Sequence, residues 1–169
     1  MPFELQFPSL RLNLPLADVG LTAANIMDVP RGTVNDPAWQ TAFWYRGSSF
    51  PGERGTTTIA GHVTDLLGQP GAFAYLHDLR PGDPIIVYDQ ENGRDIEYIV
   101  TKIETYTALQ SADPLIIEQV HGDGSISFGR SYLTLITCTG AFVNGSFIDR
   151  LVVYAEQMIV KTGDLYEPQ

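Results

Sequence analysis

Cysteine is almost absent from this 169-residue chain, whose single copy is Cys138. A lone cysteine closes no internal disulfide, so it is either a small buried hydrophobic side chain or a reactive thiol. The chain also lacks an apolar run of about 18 residues, the length needed to span a membrane. Its start, MPFELQFPSLRL, has neither the basic region nor the apolar core of a signal peptide. Two alternatives therefore stay open: a cytosolic protein, or one whose targeting segment is not in this chain.

Basic residues are also scarce, with 10 Lys and Arg against 20 Asp and Glu and a net charge of −10. Binding to nucleic acid requires a basic surface that displaces counterions from phosphates, so this composition argues against it. The same charge argues against docking on anionic lipid headgroups. The chain shows no internal repeat, low-complexity tract or linker, so residues 1–169 are predicted to form a single domain.

Helical patterns are few, and most of the chain has strand-like patterns. Strands are predicted at 9–16, 56–61, 83–89, 95–106, 131–138 and 150–160. The pair Asn92-Gly93 is a strong signal for a hairpin turn between two of them. Short strands at this spacing, separated by many of the 16 glycines and 11 prolines, predict a barrel or a sandwich.

Two short helices are predicted. One covers 71–79, and the other covers 112–120 with Asp113 as its N-cap and Pro114 at its first position. Residues 30–55 have proline and glycine at both ends. They are predicted to form a long surface connection with one short strand around 43–45.

A catalytic cysteine needs a partner that carries protons, and the chain offers three histidines. His62 directly follows the strand-like TTTIAG, whereas His77 lies in a predicted helix and His121 precedes a Gly-Asp-Gly turn. A rigid strand end holds a catalytic group better than a solvated turn does. His62 is therefore the preferred partner, with His77 read as structural and His121 as a surface residue.

A cation is also placed near the thiol by the strand pattern. Cys138 ends one predicted strand, and Arg150 starts the next after 11 intervening residues. If these strands are antiparallel neighbours, Arg150 lies near Cys138 and can hydrogen-bond a developing oxyanion. The alternative is a surface arginine paired with Asp149.

Three segments together resemble the sortases, bacterial cysteine transpeptidases that attach proteins to the cell wall or polymerise pilins. They are PGERGTTTIAGHV at 51–63, FAYLHDLRPGDPIIVYD at 73–89, and TLITC at 134–138 followed by DRLVVYAE. The segments occur in the order expected for the family. The stretch WYRGSSFPGERG is most similar to the D-, E- and F-type members, whereas TGAFVNGSF lacks the acidic character of the housekeeping class.

The resemblance implies a mainly β fold, a single closed mixed barrel of about eight strands with short helices. It implies that His62 is the catalytic histidine, Cys138 the nucleophile and Arg150 the catalytic arginine, with Thr137 in the family position before the nucleophile. In such a barrel the strands leading to His62 and Cys138 are parallel and end at one rim. The acidic positions that bind calcium in some members cannot be assigned in this sequence, so calcium is left unsupported and no cofactor or metal is predicted.

The function implied is cleavage of a Thr–Gly bond in an LPXTG-like sorting signal through a thioacyl intermediate, followed by transfer to an amine. Expected partners are surface proteins or pilins that carry the signal, and an acceptor such as a peptidoglycan stem peptide or a pilin lysine. The protein is expected to act as a monomer on the extracellular face of the membrane, anchored by a segment outside this chain. Candidate substrate-binding residues are Thr137, Ala141, Phe142, Val143, Ile116 and Ile117.

Two other functions stay open at this point. One is a peptidoglycan cross-linking enzyme of the L,D-transpeptidase type, whose nucleophile normally follows a His-Gly pair. Here Ile136-Thr137 precede the cysteine, and the nearest His-Gly pair is His121-Gly122, far upstream. The other is a non-catalytic β-barrel binding module in which the thiol is buried and inert.

Overall fold

Eight strands close on themselves in the computed structural model, which describes residues 3–118 and 130–158. The strands are β1 Phe3–Phe7, β2 Leu12–Val19, β3 Ala42–Tyr45, β4 Gly55–Gly61, β5 Pro84–Asp89, β6 Arg94–Thr107, β7 Ser131–Val143 and β8 Ser146–Gln157. Their order around the barrel is β1-β2-β3-β4-β7-β8-β6-β5, and β5 pairs with β1 to close it. The predicted closed barrel of about eight strands is confirmed.

The barrel is mixed. The pairs β2–β3 and β4–β7 are parallel, and the remaining neighbours are antiparallel. The parallel β4–β7 pair confirms that the strands leading to His62 and Cys138 run in the same direction. A connection of many residues is required between parallel neighbours, and here that connection contains both β5 and β6.

Side chains point alternately into and out of the barrel along each strand, and those that point inward fill its interior. In β5 every second residue is buried, as expected for a strand with one face on the core. β4 and β7 have long buried runs because the chain also covers part of their outer faces. Among the largest fully buried side chains are Phe7, Phe73, Tyr98, Ile59, Leu76, Leu133 and Leu135.

The helices are shorter than the sequence patterns predict. The helix expected over 71–79 is wrong: only a 3-10 turn at Leu76–Asp78 forms there. Phe73, Leu76 and Leu79 are all buried, so packing of these apolar side chains under the barrel replaces regular helical hydrogen bonding. Within the second predicted helix, α1 Pro114–Ile117 forms, and Asp113 caps it by accepting a hydrogen bond of 2.9 Å from Leu115 N. Residues 119–120 lie outside the described residues.

The connection between β7 and β8 is a hairpin arm rather than an 11-residue loop. β7 continues to Val143 and β8 starts at Ser146, so only Asn144-Gly145 turn the chain. Both residues have positive φ, 50° and 80°, which is the geometry of a tight type I′ hairpin turn. The prediction that β8 starts at Arg150 is therefore wrong by four residues, and Asn144-Gly145 is the signal that it overlooked.

The region before β4 is irregular, as predicted, and β3 at Ala42–Tyr45 coincides with its expected short strand. Upstream, residues 20–28 fold into a small hairpin with a bridge between Leu21 and Met27 and a bond from Asp28 N to Gly20 O of 3.0 Å. In the described part of the chain, no helix is both long and apolar enough to cross a bilayer.

Candidate active site

The outer faces of β4 and β7 form the floor of a groove. Because side chains alternate along a strand, the even-numbered residues of both strands share this face, and the odd-numbered ones, such as Ile59 and Leu135, point into the core. The floor continues directly into His62 beyond β4 and into Cys138 on β7. The residues on the floor are Thr56, Thr58, Ala60, Tyr132 and Ile136. Strand alternation thus brings the histidine and the thiol to one surface.

Two segments wall this groove and enclose a cavity of about 1130 Å³. Residues of the 20–31 segment form the first wall, and residues of the 108–118 segment form the second. The second wall is tied to the floor by two side-chain hydrogen bonds. Thr56 Oγ1 donates to Glu118 O at 2.6 Å, and Thr134 Oγ1 donates to Ile117 O at 2.8 Å. These two bonds hold the 108–118 segment next to the floor strands. The groove beside it can accommodate a peptide.

Cys138 and Arg150 are directly opposed on the antiparallel strands β7 and β8. Directly opposed residues have their Cβ atoms about 4.5–5.5 Å apart and project to the same face. Both side chains are partly exposed and line the groove. The strand register thus places Arg150 opposite Cys138, and the role of its guanidinium beside the thiol stays a prediction.

Arg150 is held by the main chain of its own hairpin arm. Its Nη1 donates to Phe147 O at 3.0 Å and to Asp149 O at 2.9 Å. The arginine therefore contacts the carbonyl of Asp149, where the alternative from the sequence was an ion pair with that residue's carboxylate. A guanidinium has five N–H donors, and Nη1 carries two of them. The donors on Nε and Nη2 are the ones that would serve a substrate oxygen.

His62 follows β4 and is half-buried in the groove. Its Nε2 lies 2.7 Å from Pro30 O, and its ring packs against Trp39 and Phe43, with centroid distances of 4.6 and 6.5 Å. Burial lowers the pKa of His62 below its usual value of about 6.5, since desolvation disfavours the imidazolium. The hydrogen bond to Pro30 opposes this shift, and the nearby charge of Arg31 adds to it.

Thr137 joins β7, which carries Cys138, to β4, which leads to His62. Its side chain is 4% exposed, and its Oγ1 donates to Gly61 O at 2.8 Å. Gly61 precedes His62, and Thr137 precedes Cys138. The hydroxyl is thus occupied within the protein, and the predicted contact of Thr137 with substrate stays a prediction.

The predicted substrate-binding residues are divided by the structure. Thr137 and Ile117 line the groove with His62, Cys138 and Arg150. Ile116 instead lines a shallow depression of about 300 Å³ beside Tyr106 and Tyr154. The residues of the hairpin arm, Ala141, Phe142 and Val143, are exposed and lie outside the groove lining, with Phe142 packed edge-on against Phe147.

Neither of the other two histidines is among the described residues that line the groove. His77 is exposed on a 3-10 turn, 3.3 Å from Asp78, so its interpretation as a structural residue is wrong. His121 and Gly122 lie outside the described residues. Among residues 3–118 and 130–158, no group of three or more His, Cys, Asp or Glu side chains is placed to hold a metal ion.

Sequence reasoning missed the 20–31 wall and Trp39. The wall contributes Leu21, Ile26, Met27 and Val29 to the groove, but its short apolar pattern resembles that of any surface loop. The sequence pattern gives Trp39 no role in the site, because its contact with His62 depends on tertiary placement. A capping signal was available for its 3-10 turn: Asp36 Oδ1 accepts from Ala38 N at 2.8 Å, and Pro37 starts the turn.

Cys138, His62 and Arg150 line one groove of a mixed eight-stranded barrel, and a thiol, an imidazole and a guanidinium are the groups that cysteine-dependent acyl transfer requires. Residues 5–158 match the family model of the sortase domain. This match covers most of the chain, which therefore belongs to the sortase family of cysteine transpeptidases, with Cys138 as its only cysteine. The family assignment sets the L,D-transpeptidase alternative aside.

Among known proteins, the chain is similar to sortase SrtE1 of Streptomyces coelicolor, with 28% identity over 141 residues. The aligned region is 83% of this chain and 36% of that relative, so the chain spans about a third of the relative's length. This similarity is consistent with the predicted D-, E- or F-like type.

Solved structures agree on the fold. Sortase A from Corynebacterium diphtheriae superposes with a TM-score of 0.64 at 23% identity, covering 97% of this chain and 63% of that one. Sortase E1 from Streptomyces coelicolor, solved with a tripeptide in its active site, gives a TM-score of 0.63 at 22% identity, covering 93% of this chain and 87% of that one. At these identities the similarity establishes the barrel architecture.

Proposed function

We propose that this chain is a sortase-type cysteine transpeptidase that cleaves a Thr–Gly bond in an LPXTG-like sorting signal and transfers the acyl group to an amine. The observation that carries the proposal is the direct opposition of Cys138 and Arg150 in the groove that His62 also lines. The groove floor and its two walls suit an extended peptide whose scissile bond reaches the Cys138 end.

In the first half-reaction, the Cys138 thiolate attacks the threonine carbonyl carbon and forms a C–S bond. The carbonyl electron pair moves onto oxygen, and the N–H donors of Arg150 stabilise the resulting oxyanion. When the intermediate collapses, the C–N bond breaks, and protonated His62 gives its proton to the departing glycine amine. The products are a thioacyl enzyme, neutral His62 and the released glycine segment.

In the second half-reaction, an incoming amine attacks the thioester carbonyl. Neutral His62 takes the proton that this amine loses, and the C–S bond breaks to return the Cys138 thiolate. The new amide bond replaces the one that was cleaved, and the thiolate–imidazolium pair is restored. Each proton taken up by His62 in one half-reaction is released in the other, so the cycle balances.

The ion pair that starts the cycle requires an imidazolium at His62. Burial of His62 lowers its pKa and therefore reduces the share of imidazolium at neutral pH. A slow turnover is expected for this reason.

The partners proposed are proteins that carry the sorting signal at the cell surface, including pilins. The acceptor is an amine such as that of a peptidoglycan stem peptide or a pilin lysine. We place the enzyme, as a monomer, on the extracellular face of the membrane. Support for these assignments comes from the family to which the chain belongs and from the acidic surface, which disfavours nucleic acid as a partner.

The apolar part of the signal is proposed to pack on Ile117 and on the apolar residues of the 20–31 wall, which are Leu21, Ile26, Met27 and Val29. The exposed arm residues Ala141, Phe142 and Val143 are proposed to contact the substrate from the Cys138 end, since β7 leads from the nucleophile into the arm. Ile116 is retained as a weaker candidate, because it lines the neighbouring depression with Tyr106.

The test is cleavage of a library of LPXTG-like peptides in the presence of a panel of amines, followed by mass spectrometry. The expected products are a peptide cut after threonine and its adduct with one class of amine. Cys138→Ala and His62→Gln are each expected to abolish cleavage while the thermal unfolding transition is retained. Full activity in either variant would refute the proposed chemistry.

Thiol labelling separates the enzyme from a non-catalytic binding module. Partly exposed Cys138 is expected to react with iodoacetamide in the native protein at a rate that depends on pH, because the thiolate is the reacting form. A buried inert thiol would react only after denaturant unfolds the barrel. Cys138→Ser, which has no thiol, gives the background of the assay.

A further inference from the structure

The Pro30 carbonyl determines which nitrogen of His62 carries a fixed proton. Pro30 O lies 2.7 Å from Nε2, and a carbonyl only accepts hydrogen bonds. Nε2 must therefore carry a hydrogen whenever this bond is made. Neutral imidazole has one N–H, so its lone pair is then on Nδ1, and Nδ1 is the atom that gains or loses a proton.

Trp39 holds the plane of this imidazole. The two ring centroids are 4.6 Å apart with an interplanar angle of 52°, and Trp39 is 5% exposed. The indole is fixed in turn, since its Nε1 donates to Thr33 O at 2.9 Å. The main-chain carbonyl of Trp39 accepts a hydrogen bond of 2.8 Å from Ala72 N. A ring tethered at both its side chain and its backbone gives the histidine a rigid surface to pack on.

The backbone of His62 is fixed by the same neighbourhood. Phe73 N donates to His62 O at 2.9 Å, and a Cβ added to Gly71 would lie 2.5 Å from that carbonyl oxygen. Residues 71–73 thus bond to Trp39 through Ala72 and to His62 through Phe73. The main chains of Trp39 and His62 are therefore both bound to the segment 71–73, and their side chains also contact each other. Both sets of contacts fix the position of the indole relative to the imidazole.

We infer that Trp39 is a positioning residue for His62: it keeps the imidazole oriented with Nε2–H on the Pro30 carbonyl, so that Nδ1 exchanges protons in catalysis. The inference rests on the transpeptidase function proposed above. In the first half-reaction Nδ1–H of the imidazolium protonates the leaving amine. In the second, the Nδ1 lone pair accepts the proton of the incoming amine. The bond to Pro30 is kept in both charge states, so the ring need not turn during the cycle.

Charged and titratable groups around His62 come from several elements. Arg31 and Asp28 lie on the 20–31 wall, Cys138 on β7 and Arg150 on β8, and all four line the same groove. The pKa of His62 is lowered mainly by burial. Because the indole covers the imidazole, its replacement by a smaller side chain admits water, and the pKa of His62 should rise towards its usual value.

The first experiment needs no substrate. Two-bond proton–nitrogen NMR spectra of protein labelled with ¹⁵N-histidine distinguish an N–H nitrogen from one with a lone pair. The His62 signals are assigned by their loss in His62→Gln. Above the pKa of His62, the unaltered protein is expected to show Nδ1 as the lone-pair nitrogen. A hydrogen on Nδ1 instead of Nε2 would overturn the inference without any substitution at Trp39.

Substitutions then test the role of the indole. Trp39→Phe keeps an aromatic face and should keep the tautomer, whereas Trp39→Leu should give mixed tautomers and a raised His62 pKa. The matched control is Trp44→Leu, which removes the other tryptophan, also buried at 8% exposed but packed on Phe50 and outside the groove lining. An unchanged tautomer and pKa in Trp39→Leu would overturn the inference. So would equal changes in Trp44→Leu.

Kinetics supply the last readout. Trp39→Leu is expected to lower kcat by about 10- to 100-fold with little change in KM, since a small misplacement of a catalytic group has effects of this order. Trp39→Phe should recover most of the loss, and Trp44→Leu should leave kcat unchanged. Unaltered kcat in Trp39→Leu would contradict the positioning role. Absence of cleavage by the unaltered protein would refute only the proposed function, because the NMR measurements are made without substrate.

Discussion

Thr137 Oγ1 donates a hydrogen bond of 2.8 Å to Gly61 O, and this bond joins the residue before Cys138 to the residue before His62. The parallel pairing of β4 and β7 reaches Ala60 opposite Ile136. The threonine side chain extends the link between the strands by one more residue, where both strands meet the groove. The separation of His62 and Cys138 is therefore set partly by a hydroxyl group.

Thr137→Val tests this link, because valine has nearly the same shape without the donor. Gly61 O is buried, and loss of its partner is expected to lower the free energy of unfolding by about 1–3 kcal/mol. The rate of peptide cleavage should also fall, since the two strands are less firmly held. Thr137→Ser keeps the hydroxyl and should retain most of the activity. Denaturant unfolding and a peptide cleavage assay check both; a valine variant with normal stability and rate would contradict the role.

Arg150→Lys tests whether the fork of donors is needed or only a positive charge. Lysine cannot reproduce the bonds of Nη1 to Phe147 O and Asp149 O while also presenting donors to the substrate. We expect kcat to fall about 10²- to 10³-fold in both Arg150→Lys and Arg150→Ala, as for loss of an oxyanion donor. Arg94→Ala, at the far end of β6, is the control and should be fully active. Near-normal kcat in Arg150→Lys would show that charge alone suffices.

The pH dependence of the reaction should reflect the lowered pKa of His62. The acidic limb of kcat/KM reports the free enzyme, so its midpoint is expected below the usual value of about 6.5. Arg31 disfavours the imidazolium, and its replacement in Arg31→Gln should move this limb to higher pH. Arg31→Lys keeps the charge and should leave the limb in place. A shift in the opposite direction would rule out the electrostatic explanation.

The same shift predicts how stability changes with pH. A histidine whose pKa is lowered by folding binds protons more weakly in the native state than in the unfolded state. Stability is therefore expected to fall as the pH drops below about 6.5, the unfolded value, towards the lower folded value. His62→Gln should flatten this part of the profile, as measured by thermal unfolding from pH 8 to about pH 5. An equally steep profile in the variant would assign the effect to other groups.

Two adjacent isoleucines test the assignment of the groove. Ile117 lines it, whereas Ile116 faces the neighbouring depression. Ile117→Ala is expected to lower kcat/KM for a sorting peptide by about tenfold, mainly through KM. Ile116→Ala removes the same number of atoms outside the groove and should raise KM much less. Equal effects on KM would mean that the substrate does not follow the groove described above.

Much of the barrel could be predicted from local patterns. Alternation along β5 and the Asn92-Gly93 pair define one hairpin, and the run 131–138 defines most of β7. The β7–β8 arm was also readable, because Asn144-Gly145 is the same kind of signal. The failed helix at 71–79 shows the opposite case: its apolar residues are buried in the core without a regular helix, and local propensity did not determine the outcome.

The site was predictable only to the extent that strand geometry fixes it. Opposition of Cys138 and Arg150 follows from an antiparallel register, and the place of His62 follows from the end of β4. The contact between Trp39 and His62 depends on how an irregular segment folds back, which no periodicity records. The roles of Ala141, Phe142 and Val143 stay predictions, since they depend on how the exposed arm meets a substrate.

The parallel pairing of β4 with β7 has a consequence for the life of the chain. Gly61 and Thr137 are 76 positions apart in sequence. The entropy cost of closing a loop of that length must be met before the contact between them can stabilise the fold. A nascent polypeptide that has emerged only as far as β6 contains His62 but neither Cys138 nor Arg150. Under the proposed mechanism, an unfinished chain therefore has no group that can form the thioacyl intermediate.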